Sequence, residues 1–168
     1  MISTFLAEHR LLVRAALIAV TVVVLVAAAL LVRAERRGRR IATVLAAVAG
    51  AGILLLTLSP DGSRTAPVPC NLDPYLFYAD EANLALFFVP ALFATVASRR
   101  PLLVLTAAAV ISAAIEAIQR VTSTNRRCDI DDWLANSMGG AAGAVAALLL
   151  IWAVGRGRRR AERSRPRP

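Results

Sequence analysis

The sequence has little of the material from which soluble enzymes build their sites. It contains no lysine, a single histidine and two cysteines, and only 18% of its 168 residues are charged. The histidine, His9, lies near the amino terminus, far in sequence from any candidate nucleophile. A glycine-rich phosphate loop and cysteines at zinc-binding spacing are both missing. These absences argue against zinc, phosphate-loop and histidine-assisted nucleophilic sites.

Apolar sequence is what the chain has in abundance, since 58% of it is hydrophobic. A bilayer core about 30 Å thick needs roughly 20 apolar residues per helix. Five stretches approach that length, at residues 11–32, 41–58, 82–98, 101–118 and 132–154. We therefore expect an all-α, polytopic bundle of about five membrane-spanning helices. Residues 1–168 then form a single integral membrane domain.

The arginines predict the orientation of this bundle. Basic residues near membrane ends are retained on the cytoplasmic side. The predicted loop 33–40, the Arg99–Arg100 turn and the tail 156–168 carry 14 of the 20 basic residues, and with five spans they fall on one face. That face should be cytoplasmic, which places the amino terminus outside and the carboxyl terminus inside.

The basic tail, residues 156–168, permits a nucleic-acid interpretation on charge alone. A topology anchor on the inner leaflet is the interpretation that we favour. The net charge of +9 belongs mainly to the inner segments, where anionic lipid headgroups are the expected partner. We thus expect contact with membrane lipids and none with nucleic acid.

The two cysteines, Cys70 and Cys128, both fall on the predicted outer side, where disulfides persist. A bridge between them would tie the long outer loop over the segment that precedes the fifth helix. Two unpaired thiols are the alternative, because two cysteines alone cannot establish pairing. We favour the disulfide.

Polar residues interrupt the apolar sequence near the carboxyl end. Glu116 and Gln119 share one face at the outer end of the fourth span, and Asp132 and Asn136 share one face of the fifth. A carboxylate that faces lipid is costly, so Glu116 should face the bundle interior and have a partner. These residues either form an outward-facing polar cavity or only hold the helix pair together, with Asp131 or Asp132 as a helix cap.

The same segment resembles the signature of the VanZ-like membrane proteins, a family named after teicoplanin resistance. The resemblance rests on polar and glycine positions at fixed spacing. These positions are Glu116, Gln119, Arg126, Asp129, Asp132, Asn136, Gly139 and Gly143. It covers about residues 80–150.

A second stretch upstream is also similar to that family. It contains Asp80 and Asn83, followed by Phe87, Phe88 and Pro90. Two features depart from the family pattern. Ala91 follows the proline, where glycine is common, and the doublet at residues 126–127 leaves open whether Arg126 or Arg127 carries the family role.

The resemblance implies a multi-pass protein of the bacterial cell membrane, in a family of which some members are linked to reduced glycopeptide susceptibility. It implies no particular reaction. Gly139 and Gly143 also form a GxxxG pair, which permits close approach of helices. We expect the fifth span to pack tightly within the bundle or, as a homo-oligomer, against a second copy.

Two functions remain open. In the first, the outer cavity binds a lipid-linked wall precursor, a lipid headgroup or a glycopeptide and needs no cofactor. Arg126 or Arg127 would pair with phosphate or carboxylate. Hydrogen bonds to hydroxyl, amide or amine groups would come from the other candidates, namely Asp80, Asn83, Glu116, Gln119, Asp129, Asp132 and Asn136.

In the second, the chain is an intramembrane enzyme in which Glu116, Asp129 and Asp132 hold a divalent cation. Such a centre would act on an envelope lipid or wall precursor. We favour binding over catalysis, because the sequence contains no nucleophile with an evident base.

Overall fold

The computed structural model describes residues 10–58, 70–71, 73, 81–121 and 129–163. Within these ranges the chain forms five α-helices and no strand. The helices are α1 (Arg10–Arg33), α2 (Glu35–Leu58), α3 (Glu81–Ser98), α4 (Pro101–Val121) and α5 (Ile130–Arg163). Each is long and apolar enough to cross a membrane. The prediction of an all-α bundle with five membrane-spanning helices is confirmed.

Helix α3 occupies the centre of the bundle and contacts each of the other four helices, α5 most extensively. Its buried Leu92 and Val96 pack with Ala28 of α1 and Ala147 of α5. Large apolar side chains on α1 and α2, such as Val23 and Leu55, are instead exposed. Exposed apolar faces of this extent are expected where lipid, rather than water, surrounds the protein.

The glycines of the GxxxG pair lie at the contact between α5 and α3. A Cβ atom added at Gly139 would lie 2.1 Å from the carbonyl oxygen of Leu84, and one at Gly143 would lie 2.3 Å from that of Phe88. Only glycine therefore permits this approach of the two backbones. Tight packing within the bundle is what these glycines provide, and self-association through them stays a prediction.

The arginine-rich segment 33–40 was expected to be a loop, and this expectation is wrong. Only Ala34 separates α1 from α2, and Glu35 completes the turn with a positive φ of 51°. The following residues are helical, as arginine is a good helix former. Gly38 permits the tight hairpin, because a Cβ there would lie 1.9 Å from the carbonyl oxygen of Leu31.

The fifth helix is also longer than the sequence predicted. It was expected to end at Val154, yet α5 continues through the first part of the basic tail to Arg163. Gly155 and Gly157 lower helix propensity but do not prevent helix formation. Arg158 helps to hold this extension in place, as its guanidinium pairs with Glu35 and donates a hydrogen bond of 2.5 Å to the carbonyl oxygen of Arg33.

The two ends of the bundle differ in their polar residues. At one end, which we call the acid–amide end, Arg14 of α1 pairs with Glu81 of α3 at 2.9 Å. At the opposite end, arginines of α2 and α5 contact neighbouring helices. Arg39, for example, donates a hydrogen bond of 2.8 Å from Nε to the carbonyl oxygen of Ala97. Each end also holds one residue of the other charge in an ion pair, Arg14 at the first end and Glu35 at the second. The side of the membrane that each end faces stays a prediction.

Candidate functional site

The polar residues of the fourth and fifth spans meet residues from two other parts of the chain at the acid–amide end. We call this group the acid–amide cluster. It consists of Asn71, Asn83, Ser112, Glu116, Asp129, Asp132 and Asn136. Its hydrogen bonds connect Asn71 with the start of α5, and the start of α3 and the carboxyl-terminal half of α4 with α5.

Glu116 contacts the start of α5. Its Oε2 accepts a hydrogen bond of 2.9 Å from the backbone N–H of Asp129, the residue immediately before the helix. A carboxylate is favourable there because the N-terminus of a helix carries partial positive charge. The expectation of a partner for Glu116 is met by this backbone group. The negative charges of Asp129 and Asp132 also act on the Glu116 side chain.

Asp129 is the N-cap of α5. Its Oδ1 accepts a hydrogen bond of 3.0 Å from the backbone N–H of Asp131, two residues along the chain. The same carboxylate accepts hydrogen bonds of 3.2 and 3.3 Å from Nδ2 of Asn71. Sequence reasoning had considered Asp131 or Asp132 as the cap. The difference arises because the helix begins two residues earlier than predicted, at Ile130.

Asp132 lies in the first turn of α5 and contacts α3. Its Oδ1 accepts a hydrogen bond of 2.5 Å from Nδ2 of Asn83. Both side chains are half-buried. Asn83 of the upstream stretch and Asp132 of the fifth span, both predicted site residues, are therefore brought together here.

Asn136 is the deepest amide of the cluster. It is 3% exposed and donates a hydrogen bond of 3.0 Å from Nδ2 to Oγ of Ser112 on α4. Its Oδ1 is buried and has no hydrogen-bond partner among the described residues. A buried acceptor without a donor is costly. A bound ligand or a water molecule can supply the missing donor.

Gln119 contacts α2, and not the polar residues of α5 beside which the sequence had placed it. It is buried, and its Nε2 donates a hydrogen bond of 2.9 Å to the carbonyl oxygen of Thr57 near the end of α2. The amide nitrogen thus joins α4 to α2, rather than to α5. The remaining predicted site residues, Asp80, Arg126 and Arg127, lie outside the described residues, as does Cys128.

Sequence reasoning missed three residues that hold the cluster. Asn71 pairs with Asp129, Ser112 pairs with Asn136, and the indole Nε1 of Trp133 donates a hydrogen bond of 3.1 Å to the carbonyl oxygen of Ala109. Ser112 had a detectable signal, because it lies four residues before Glu116 and so shares its helical face. The sequence contains no such signal for Asn71, apart from its position beside Cys70.

An apolar cavity lies between α2, α3 and α4. Its volume is about 410 Å³, and its lining is apolar throughout. Ile115 and Ile118 contribute to this wall, and they are the immediate neighbours of Glu116 and Gln119 in the sequence. The lining continues along α4 to Val104, a distance of about 21 Å at the helical rise per residue.

A family model described as VanZ/LLP1 matches residues 19–152. The chain belongs to the VanZ/LLP1 family. The match extends from α1 to α5, and so it covers the whole acid–amide cluster rather than only the residues 80–150 on which the resemblance rested. No curated protein and no solved structure matches the chain significantly. The VanZ-like assignment therefore rests on the family model.

Metal binding was the basis of the enzymatic alternative. Among the described residues of this VanZ-like chain, no group of three or more histidine, cysteine, aspartate or glutamate side chains is placed to hold a metal ion. The contacts of Glu116 and Asp129 are instead with N–H groups. The arrangement is suited to binding hydrogen-bond donors.

Proposed function

We propose that this VanZ-like protein is a multi-pass protein of the bacterial cell membrane that binds a lipid-linked wall precursor. The polar headgroup would contact the acid–amide cluster, and the lipid chain would lie in the apolar cavity. Through this binding the protein would modulate glycopeptide susceptibility, including susceptibility to teicoplanin. This proposal includes no reaction and no cofactor.

The observation that carries the proposal is that consecutive residues of α4 belong to the apolar cavity and to the polar cluster. Ile115 lines the cavity, and Glu116, the next residue of α4, contacts the start of α5. A ligand that occupies both regions must have a polar head and an apolar chain. A free glycopeptide or a headgroup alone would leave the cavity unused.

The chemistry of the cluster indicates which headgroup it would hold. Its described side chains offer mainly acceptor oxygens, and the buried Oδ1 of Asn136 has no donor among the described residues. Carboxylates repel phosphate but accept hydrogen bonds from hydroxyl, amide and amine groups. The sugar and peptide parts of a wall precursor supply these donors. Its phosphate would contact Arg126 or Arg127, in the segment outside the described residues.

In this proposal the cavity accommodates the lipid chain by its shape and adds little to the affinity. Inside a membrane the lipid tails are as apolar as the cavity wall, so there is no hydrophobic driving force for moving a chain from one to the other. Selection among lipids must therefore come from hydrogen bonds at the headgroup. Substitutions in the acid–amide cluster should consequently affect affinity more than conservative apolar changes in the cavity.

The proposal requires that the acid–amide end faces outward, which the arginine distribution favours. It also gives a role to the proposed disulfide between Cys70 and Cys128. An isolated parallel β-bridge pairs Asn71 with Asp129, so the two cysteines are the residues that immediately precede the bridged pair. A disulfide at this point would hold Asn71 against the N-cap of α5.

Purified protein and native mass spectrometry would test this function. We expect retention of a lipid-linked wall precursor in preference to phosphatidylcholine, and at least a tenfold loss of affinity in Glu116→Gln, about the effect of removing one charge-assisted hydrogen bond. Glu81→Gln is the matched control, because Glu81 is an exposed acid at the same end that pairs with Arg14. Equal affinity of the parent for both lipids would contradict the proposal.

A further inference from the structure

A second cavity lies at the opposite end of the bundle from the acid–amide cluster. Its volume is about 340 Å³. Arginines from three separate parts of the chain line it, together with one acid and apolar residues of α1 and α5. We call this cavity the arginine pocket and define it by Glu35, Arg36, Arg39, Arg99 and Arg158.

The charges in the arginine pocket do not balance. Four guanidinium groups face one carboxylate, Glu35, and Arg158 already pairs with it. Arg36, Arg39 and Arg99 therefore have no carboxylate partner within the lining of the pocket. Guanidinium groups that converge without counter-charges favour an anion between them.

Two of the arginines are held in place by backbone carbonyl groups. Arg39 donates from Nε to Ala97 near the end of α3, and Arg158 donates from Nη2 to Arg33 at the end of α1. Each of these bonds uses only part of the donor set of a guanidinium group, which has five N–H donors. The side chains are thus oriented before any ligand binds, and this reduces the entropy cost of binding.

Arg99 is the most informative member of the pocket. It forms the turn between α3 and α4 with a positive φ of 60°, a conformation that costs roughly 1–2 kcal/mol for a residue other than glycine. Glycine would make this turn without strain. Arg100, the next residue, is exposed and supplies the positive charge that a topology anchor requires. The strained arginine therefore needs another explanation.

The electrostatics of Arg99 agree with this geometry. Partial burial lowers its pKa, and the positive charge of Arg39 lowers it further. The two guanidinium groups thus repel each other across the pocket. Both effects would be relieved by an anion bound between them.

We propose that the arginine pocket binds one phosphate group, held between Arg39, Arg99 and Arg36. This is a discrete site, distinct from the general attraction of basic residues for an anionic membrane surface. A phosphate ester fits because guanidinium groups bind its oxygens in pairs. The apolar part of the wall suits the region of a phospholipid just below its phosphate, and a soluble phosphate compound shares the same binding chemistry.

Thermal-shift and native mass spectrometry measurements on the full-length protein in detergent would test this site. The probes are phosphatidylglycerol, phosphatidylcholine and inorganic phosphate. Saturable one-to-one binding of phosphatidylglycerol that inorganic phosphate does not displace identifies a lipid headgroup. Saturable binding of inorganic phosphate, with displacement of bound phosphatidylglycerol by it, identifies a soluble phosphate ligand. Both results support the site, whereas the absence of saturable binding of both phosphatidylglycerol and inorganic phosphate overturns it.

Arg99→Gly is the informative variant, because glycine keeps the left-handed turn and removes the side chain that carries the guanidinium group. We expect a melting temperature close to that of the parent and an affinity for the bound probe that falls about tenfold. Arg100→Gln is the matched control, since it removes the same charge from the adjacent exposed position and should change affinity less than twofold. Equal losses in the two variants would show that only bulk electrostatic attraction acts, and would overturn the proposal.

Discussion

Asn83 donates a hydrogen bond of 2.5 Å from its side-chain amide to the carboxylate of Asp132, which joins the first turns of α3 and α5. These two helices share the most extensive contact in the bundle. The residues are 49 positions apart. This polar contact adds to the packing of the two helices and joins them at the acid–amide end.

A double-mutant cycle would measure the strength of this contact. We expect Asn83→Ala and Asp132→Ala each to lower the free energy of unfolding by roughly 1–2 kcal/mol, because each leaves a half-buried polar group without its partner. The double variant should cost less than the sum, with a coupling of at least about 0.5 kcal/mol. Melting in detergent is the measurement, and fully additive losses would contradict a direct contact.

The packing of α5 against α3 leads to a second prediction. Gly139→Ala should lower stability by roughly 1–3 kcal/mol, because the added methyl group would overlap the carbonyl oxygen of Leu84 and force the helices apart. Gly157→Ala is the matched control, since apart from its chain neighbours and the nearby backbone of its own helix no atom of the described residues lies within 4 Å of a Cβ added there. This variant should be as stable as the parent or more so, by about 1 kcal/mol. Equal melting temperatures for the two variants would rule out the close contact.

Sequence reasoning predicted the helices well and their ends less well. Apolar length alone identifies a membrane-spanning segment, so all five helices were found. Charge was the misleading signal at the ends, because arginines were taken to mark loops. The residues from Glu35 onward and beyond Gly155 are helical nonetheless, and Arg158 and Glu35 pair across the bundle between these two extensions. A pair 123 residues apart leaves no local signal.

The candidate site also combines features that the local sequence predicts with contacts that it does not. The i,i+3 and i,i+4 spacings correctly placed polar groups of α4 and α5 at one end of the bundle. Spacing could not indicate that Gln119 contacts Thr57 on α2, because this contact depends on how α4 is rotated against its neighbours. The contact between Asn71 and Asp129 joins residues 58 positions apart and was equally inaccessible.

A third prediction concerns the orientation of the chain in the membrane. Single cysteines introduced by Arg36→Cys and Arg160→Cys should be protected from an impermeant thiol reagent in intact cells, because arginine-rich ends remain cytoplasmic. In variants that keep only Cys70 or only Cys128, the remaining thiol should be labelled. The reverse pattern, with labelling at 36 and 160 alone, would invert the proposed topology and place the arginine pocket outside.

The proposed disulfide between Cys70 and Cys128 is a fourth prediction. The bridge between Asn71 and Asp129 brings together the backbones next to the two cysteines, and paired backbones lie within the Cα separation that a disulfide requires. The intact protein should therefore have a mass lower than the fully reduced chain by two hydrogens. Detection of two alkylated thiols under non-reducing, denaturing conditions would exclude the bridge.

The last prediction separates a binding role for Asn136 from a structural one. Asn136→Ala removes a buried carbonyl oxygen that has no partner among the described residues, together with an amide that donates to Ser112. The loss of that one interhelical hydrogen bond should cost about 0.6 kcal/mol, the average for such bonds in a membrane protein. If the free oxygen receives a donor from the ligand, affinity for a lipid-linked wall precursor should fall by about tenfold or more.

Ser137→Ala is the matched control, since its hydroxyl is also buried without a partner among the described residues but belongs to no contact of the acid–amide cluster. Abundance, melting temperature in detergent and precursor binding should be measured on both variants. A large loss of stability in Asn136→Ala, with unchanged binding by the protein that still folds, would show that the residue only holds α5 to α4.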